Sequence, residues 1–433
     1  MSMWGNENRV RASGLLTVAL ATGVMTGLAL QATPAGASGF QLKEQSAEGL
    51  GNAFAGATAK AYDPSTAFWN PAGMTRLSGN HASMTMSYIS PSSRFSGSAS
   101  TAFGTPVGGS SGGDAAKDAF VPATYGVISL SDDLKLGLAV NVPFGLSTEY
   151  PLDWVGRYQA LESHLHITSV TPTVAYRVTD NLSVGGGPVF QYATVTLTSA
   201  INNLGLLPYD GQGKVSGDDL GFGFALGALW EFNERTRIGV NYRSRVHHTF
   251  DGTSSYVDVH PVLAAAGGLV NSDASADLTT PDIASVGVYH EFNDQWAAVA
   301  DVAWTNWSLF EELKVDADVG ADSLTVEDWH DTVFASVGGI YRPNEHWTFR
   351  AGVAYDMSPV PDKHRTARIP GEDRYWLATG ASYQVADWLE LDVGFTHIFV
   401  NDSTINETTS QGNLRGTYEN DINIVSIGGS IRF

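Results

Sequence analysis

Arginine is the side chain here best suited to hold an anionic ligand, because its planar guanidinium offers a fixed fork of N–H donors to a carboxylate. Arg157 is one candidate; an ion pair with a neighbouring acid is its other reading. Arg237, Asn241, Arg243 and Arg245 form a second group. Their odd positions share one strand face, opposite Ile238, Val240 and Tyr242, so they are expected to pair with Asp or Glu or to line a carboxylate route. Asp316, Asp318, Asp322, Glu327, Asp328 and Asp331 have the oxygen ligands that suit Ca²⁺, which is also the composition of a solvated acidic loop. His164 and His166 put two imidazoles on one strand face, too little for a metal site to be expected.

Covalent chemistry is poorly supplied. Cysteine is absent, which excludes disulfides, thiolate metal sites and thiol nucleophiles. The serines and the 11 histidines form no recognisable nucleophile elbow or His-Glu-x-x-His pair. Gly185–Gly187 fall within a strand pattern rather than before a helix, so no phosphate-binding loop is read there. No enzyme and no cofactor are expected. With 24 Lys and Arg against 45 Asp and Glu, the net charge is −21, and no broad nucleic-acid-binding face is expected.

The elements that must position these residues follow from patterning. Arg9 and Arg11 precede an uncharged apolar run from Gly14 to Leu30, and Ala35-Gly36-Ala37 carries small residues where a signal peptidase reads. Residues 1–37 are therefore expected to be a cleaved secretory signal. Cleavage would remove Arg9, Arg11 and Glu7 and leave the chain strongly acidic. No later stretch is apolar for the roughly 18 residues of a membrane helix, so a membrane span would have to be a β-barrel.

Period-two alternation dominates the remainder. Leu134, Leu136, Leu138, Val140 and Val142 alternate with Lys135, Gly137, Ala139 and Asn141. Leu220, Phe222, Phe224, Leu226, Ala228, Trp230 and Phe232 form another series, and Trp347, Phe349, Ala351, Val353 and Tyr355 a third. The apolar series often end in aromatics, as interfacial girdles do, and they are longer than ordinary globular strands. Short polar turns at 131–133, 179–181, 233–235, 293–295, 344–346 and 386–387 alternate with long polar segments, as periplasmic turns alternate with extracellular loops. The pattern predicts an all-β, 14-stranded antiparallel transmembrane β-barrel, with strands near 81–90, 120–130, 134–142, 165–178, 182–199, 217–232, 236–250, 280–292, 296–311, 332–341, 346–356, 374–386, 388–400 and 421–433. Val425, Ile427, Ile431 and Phe433 close it on one apolar face.

Residues 38–80 do not alternate. Ser38-Gly39-Phe40-Gln41-Leu42, Gly49-Leu50-Gly51-Asn52-Ala53 and Asn70-Pro71-Ala72 occur in the order and spacing of the N-terminal hatch of the FadL/TodX (OMPP1) family of outer-membrane transporters for hydrophobic compounds. Pro143-Phe144-Gly145-Leu146, through Trp154-Val155-Gly156-Arg157-Tyr158, also resembles that family. The resemblance implies a hatch over 38–80 inside a barrel over 81–433, in the bacterial outer membrane. It implies passive uptake of long-chain fatty acids or, in some branches, aromatic hydrocarbons, with capture by extracellular loops and lateral exit through the wall. On it, Gly39, Phe40, Gln41, Arg157 and Tyr158 are the substrate-binding candidates, and Asn70, Pro71 and Ala72 the hatch latch. Pro143, Phe144 and Gly145 are candidates for the lateral opening, since proline cannot donate to a ladder and both Pro and Gly favour a kink. The expected partners are a hydrophobic small molecule, outer-membrane lipid and lipopolysaccharide, with no nucleic acid and a monomeric chain. The alternative to uptake of this kind is a general diffusion porin.

Overall fold

Alternation places one face of every strand in a different solvent from the other, and burial shows which face is which. The structure is a computed structural model that describes residues 39–433; the expected signal segment lies outside the described residues. The apolar series of the alternating strands point outward, with Phe222 and Ile427 each 62 % exposed, whereas Arg237 is 2 % exposed on the inner side. A soluble sandwich would have the reverse arrangement.

The strands form one closed antiparallel barrel of 14. They are β1 (His81–Thr101), β2 (Ala119–Ser129), β3 (Leu134–Glu149), β4 (Glu162–Thr179), β5 (Leu182–Ile201) and β6 (Gly211–Asn233). β7 is Thr236–Arg243 continued by Val246–Val257, and β8 is Ser272–Thr280 continued by Ile283–Glu291. β9 is Trp296–Thr305 continued by Glu312–Ala317, and β10 is Ser323–Val326 continued by Thr332–Tyr341. β11 (Trp347–Asp356), β12 (Arg374–Ala386), β13 (Leu389–Val400 continued by Ser403–Thr409) and β14 (Gly412–Arg432) complete the wall. β1 pairs with both β2 and β14, which closes the cylinder. Asn80 and Phe433 exchange backbone hydrogen bonds of 3.1 and 2.9 Å at the seam.

Every expected strand is present, but many extend further toward the long-loop side. β1 reaches Thr101 rather than ending near 90, and β6 runs 23 residues. Beyond the lipid a strand needs no apolar face, so the alternation fades while the ladder continues. Two face assignments change. Val142 does not join the outward series: it is buried, because β3 bulges there. Arg245 does not share the inner face of Arg237, Asn241 and Arg243. β7 is interrupted at 244–245, and Arg245 turns outward to pair with Asp282 at 2.6 Å.

Residues 39–80 fill the inside of the barrel with short pieces: α1 (Ala47–Leu50), α2 (Thr66–Trp69) and a 3₁₀ turn at Pro71–Arg76. Leu42, Leu50 and Phe54 pack against inward-facing Ile89, Phe334, Trp376 and Ile424. The packing is close enough to need glycine in the wall. A Cβ at Gly352 would lie 2.2 Å from the Asn52 carbonyl oxygen, which only a residue without one can allow. Lys60 and Arg350, both turned inward, share Glu48, each at 2.9 Å.

Candidate functional site

The wall is not uniformly paired. β2 pairs with β3 only from Thr124↔Val140 to Ser129↔Lys135, although β2 stays on β1 back to Ala119. From Asn141 onward β3 has lost β2. On its other side it remains on β4, but the register jumps from Asn141↔Ser169 to Phe144↔Ile167, so Val142 and Pro143 together oppose one residue. This is a β-bulge, and proline at such a position removes no ladder donor that the wall could use. The kink expected at Pro143–Gly145 is thus a bulge with a strand edge left open beside it.

The N-terminal segment takes the place of β2 there. Leu42 N–H donates to the Pro143 carbonyl and Gly145 N–H to the Phe40 carbonyl, both at 2.8 Å, and Gln41 bridges antiparallel to Phe144. Higher up, Glu149 N–H donates to Ala115 at 2.9 Å and Lys117 pairs with Glu149 at 3.1 Å, which bounds the opening on the extracellular side.

Phe40 itself is buried in an aromatic cage. Its ring lies 4.7 Å from Trp307, 5.7 Å from Trp329, 5.9 Å from Phe310 and 6.0 Å from Phe144, mostly edge-on, the favoured geometry for such pairs. Gly39 has φ +61° and a Cβ there would meet the Trp329 ring at 2.7 Å, so the residue before the cage must be glycine. Trp307, Phe310 and Trp329 come from the chain between the two halves of β9 and β10. Sequence reading missed them, because at the end of a strand they look like girdle aromatics.

Asn70, Pro71 and Ala72 form a fixed turn. The Asn70 amide donates to the Thr58 carbonyl at 2.8 Å and to the Ala228 carbonyl of β6 at 3.0 Å, and its oxygen caps Ala72 N–H at 3.1 Å. The same half of the segment is held by Asp301, which accepts from Thr58 N–H and hydroxyl at 2.9 and 3.1 Å. Arg237 donates to the carbonyls of Ala59 and Lys60. Residues 58–72 are therefore clamped through side chains, whereas 39–42 rest on main-chain bonds and ring packing.

Arg157 and Tyr158 lie elsewhere, in the loop between β3 and β4. Arg157 pairs with Asp210 at 2.7 Å and Tyr158 donates to the same carboxylate at 2.9 Å. They pack with Trp154 and Tyr150, apart from the Phe40 cluster. The expectation that no serine has the Gly-x-Ser-x-Gly spelling needs correcting, since Gly108-Gly109-Ser110-Ser111-Gly112 has it, but Ser110 lies in a loop rather than at a strand-to-helix turn and its hydroxyl donates to Asp153 at 3.2 Å.

A barrel whose inner segment docks on an open strand edge leaves the question of kinship, and comparison answers it. A family profile described as outer membrane protein transport protein (OMPP1/FadL/TodX) matches residues 28–433. The chain belongs to the FadL/TodX family. FadL/TodX proteins are outer-membrane transporters of hydrophobic compounds rather than enzymes, and so is this one. The long-chain fatty acid transport protein of Escherichia coli K12 is 30 % identical, over 90 % of this chain and 94 % of its own. A 47 kDa outer membrane protein of Pasteurella multocida is 32 % identical, over 88 % of this chain and 91 % of its own. Among solved structures, a Pseudomonas aeruginosa FadL homologue superposes with a TM-score of 0.86 at 26 % identity, covering 91 % of this chain and 99 % of that one. The Ralstonia pickettii toluene transporter TbuX shares the FadL/TodX fold, with a TM-score of 0.67 at 20 % identity over 90 % of this chain and 99 % of its own.

Proposed function

We propose that this protein carries long-chain fatty acids passively across the outer membrane and releases them sideways through the β2–β3 opening. The observation that carries the reading is the open edge at Pro143, occupied by Phe40–Leu42. In this account residues 1–37 are the export signal, 38–80 the hatch and 81–433 the barrel, which acts as a monomer in contact with outer-membrane lipid and lipopolysaccharide. Exposed apolar side chains on the extracellular loops, among them Leu204, Leu206, Tyr209 and Val262, offer a first contact for a greasy solute. The tail then displaces residues 39–42 and enters the cage, while the clamped half of the hatch stays in place. Moving each CH₂ from water into hydrocarbon is favourable by about 0.8 kcal/mol, so exit into the bilayer needs no energy source. The fatty-acid assignment is supported by the name of the Escherichia coli relative. The aromatic cage also suits an aromatic hydrocarbon, and this is the competing substrate class.

Deleting Pro143 tests the route. The deletion makes β3 and β4 match residue for residue and keeps Phe144 on the inner face, so it straightens the wall without reversing it. Palmitate uptake by cells relying on this protein should fall at least tenfold, while equilibrium dialysis of the purified protein should still show saturable palmitate binding that toluene does not displace. Unchanged uptake would remove the lateral route. Displacement by toluene would favour the aromatic branch, and a straight ionic conductance without saturable binding would favour the porin.

A further inference from the structure

Gln45 lies where the docked segment, β2 and β3 meet. Its main chain is fixed from the wall. The Ser87 hydroxyl of β1 donates to the Glu44 carbonyl at 3.0 Å, and the Tyr125 hydroxyl of β2 donates to the Gln45 carbonyl at 2.8 Å. Ala47 N–H donates to the Thr85 hydroxyl of β1 at 3.4 Å. Gln45 N–H donates to the Lys43 carbonyl at 2.7 Å, which folds the chain there into a tight three-residue turn. From Glu44 onward the chain is thus bonded to side chains of the wall, and residues 39–42 come just before that point.

The Gln45 side chain, fully buried, reaches back across that boundary. Its amide nitrogen donates to the Leu42 carbonyl at 3.1 Å and to the Val142 carbonyl at 2.7 Å. Carbonyls can accept from an amide nitrogen but not from its oxygen, so the two acceptors fix the orientation of the amide. Val142 is one of the two bulged residues of β3, beyond the last β2–β3 pair at Thr124↔Val140. A bulge disrupts the ladder, and a buried carbonyl left by it needs another donor, which Gln45 supplies. Tyr125 stands on β2 and Val142 on β3. One residue therefore bridges the two strands at the level where they part.

We propose that Gln45 is the hinge clasp of the lateral opening, a positioning residue about which residues 39–42 swing when cargo enters. The proposal rests on the uptake reading above and deepens it. The bond to Leu42 exists only while the segment lies on β3. The bond to Val142 is compatible with the segment in either place. The first therefore weights the closed state by about the net worth of one hydrogen bond, and the second cancels between the two states. The second also keeps the bulge filled from inside after the segment has left, so β3 does not slide back into register with β4. Because the Glu44 and Gln45 carbonyls are held by β1 and β2, the motion stops at the turn and does not pass into the rest of the hatch.

The test is amide hydrogen exchange on the wild-type protein, Gln45→Met and Tyr125→Phe, with folding followed by heat-modifiable electrophoretic migration. Methionine has nearly the length of glutamine and donates nothing. In Gln45→Met the Leu42 and Gly145 amides, which join the segment to β3, should exchange about fivefold faster, as the loss of one hydrogen bond implies. The Ala59 and Lys60 amides, in the clamped half, should not change. Palmitate should bind this variant about fivefold more tightly in equilibrium dialysis, because the cage is free in more molecules. Tyr125→Phe loosens the hinge from the β2 side and should speed exchange at Leu42 in the same direction, which keeps the proposal testable where Gln45→Met does not fold. Faster exchange at Ala59 and Lys60 as well, with weaker palmitate binding, would mark a purely structural role and overturn the proposal. Unchanged exchange at Leu42 and Gly145 would overturn it and leave the uptake reading intact. Absence of saturable palmitate binding by the wild type would instead defeat the uptake reading, and the hinge with it.

Discussion

Phe40 is the residue on which the account turns. It is 2 % exposed in its aromatic cage, and on the proposed route it stands where the ligand tail must go. The apparent affinity of such a protein is its intrinsic affinity reduced by the fraction of molecules in which the cage is free. Phe40→Ala removes the occupant, and palmitate should bind more tightly, by about tenfold, with the barrel's heat-modifiable migration unchanged. Weaker binding would mean that Phe40 is a contact for the ligand rather than its stand-in. The Gly-Phe-Gln start made this residue legible as a candidate. Arg243 was legible only as one of a row of lumen arginines expected to have acidic partners. That it has none among the described residues is a property of what the fold brings near it, which spacing along one strand cannot reveal. Arg157 shows the converse: its type suggested a ligand, and the fold supplies Asp210.

At the scale of elements, the strands could be read because lipid enforces their outer face, and the bulge because proline and glycine interrupt that enforcement. The extensions beyond the membrane could not, nor could residues 307–331, which join the halves of β9 and β10 and whose Trp307, Phe310 and Trp329 cover Phe40 like a lid, since nothing apolar outside constrains them. That lid has a titratable group of its own. Glu327 accepts the Trp329 indole N–H at 2.8 Å, and burial pushes its carboxyl up to about 8. A carboxyl raised in this way is protonated in the closed lid and ionised in the open one between its ordinary value of about 4.3 and about 8. Closed binds more protons than open across that window, so closure weakens as pH rises through it. Glu407, in the neighbouring extracellular hairpin, is raised to about 7 by burial and acts with the same sign. Hydrogen exchange over 307–331 should be faster at pH 8.5 than at pH 5.5 after correction for intrinsic rates, and Glu327→Gln should reduce the difference. An equal or reversed pH effect would remove Glu327 from control of the lid.

The barrel of the described residues has a filled lumen and, between β2 and β3, an open strand edge in its wall. The segment inside the barrel is held at 58–72 by Asp301, Arg237 and the Asn70 turn, whereas 39–42 rest on main-chain bonds and ring packing. Transport through the lumen would require those clamps to break, whereas transport through the wall requires only that 39–42 leave the edge of β3. The cysteine-free sequence allows this difference to be measured cleanly. Gln41 and Phe144 are antiparallel bridge partners, at the spacing a disulfide between neighbouring strands can span. In a Gln41→Cys, Phe144→Cys variant, palmitate uptake should stop under oxidising conditions and return when the disulfide is reduced. Uptake that continues at the reduced rate with the disulfide fully formed would contradict the lateral route.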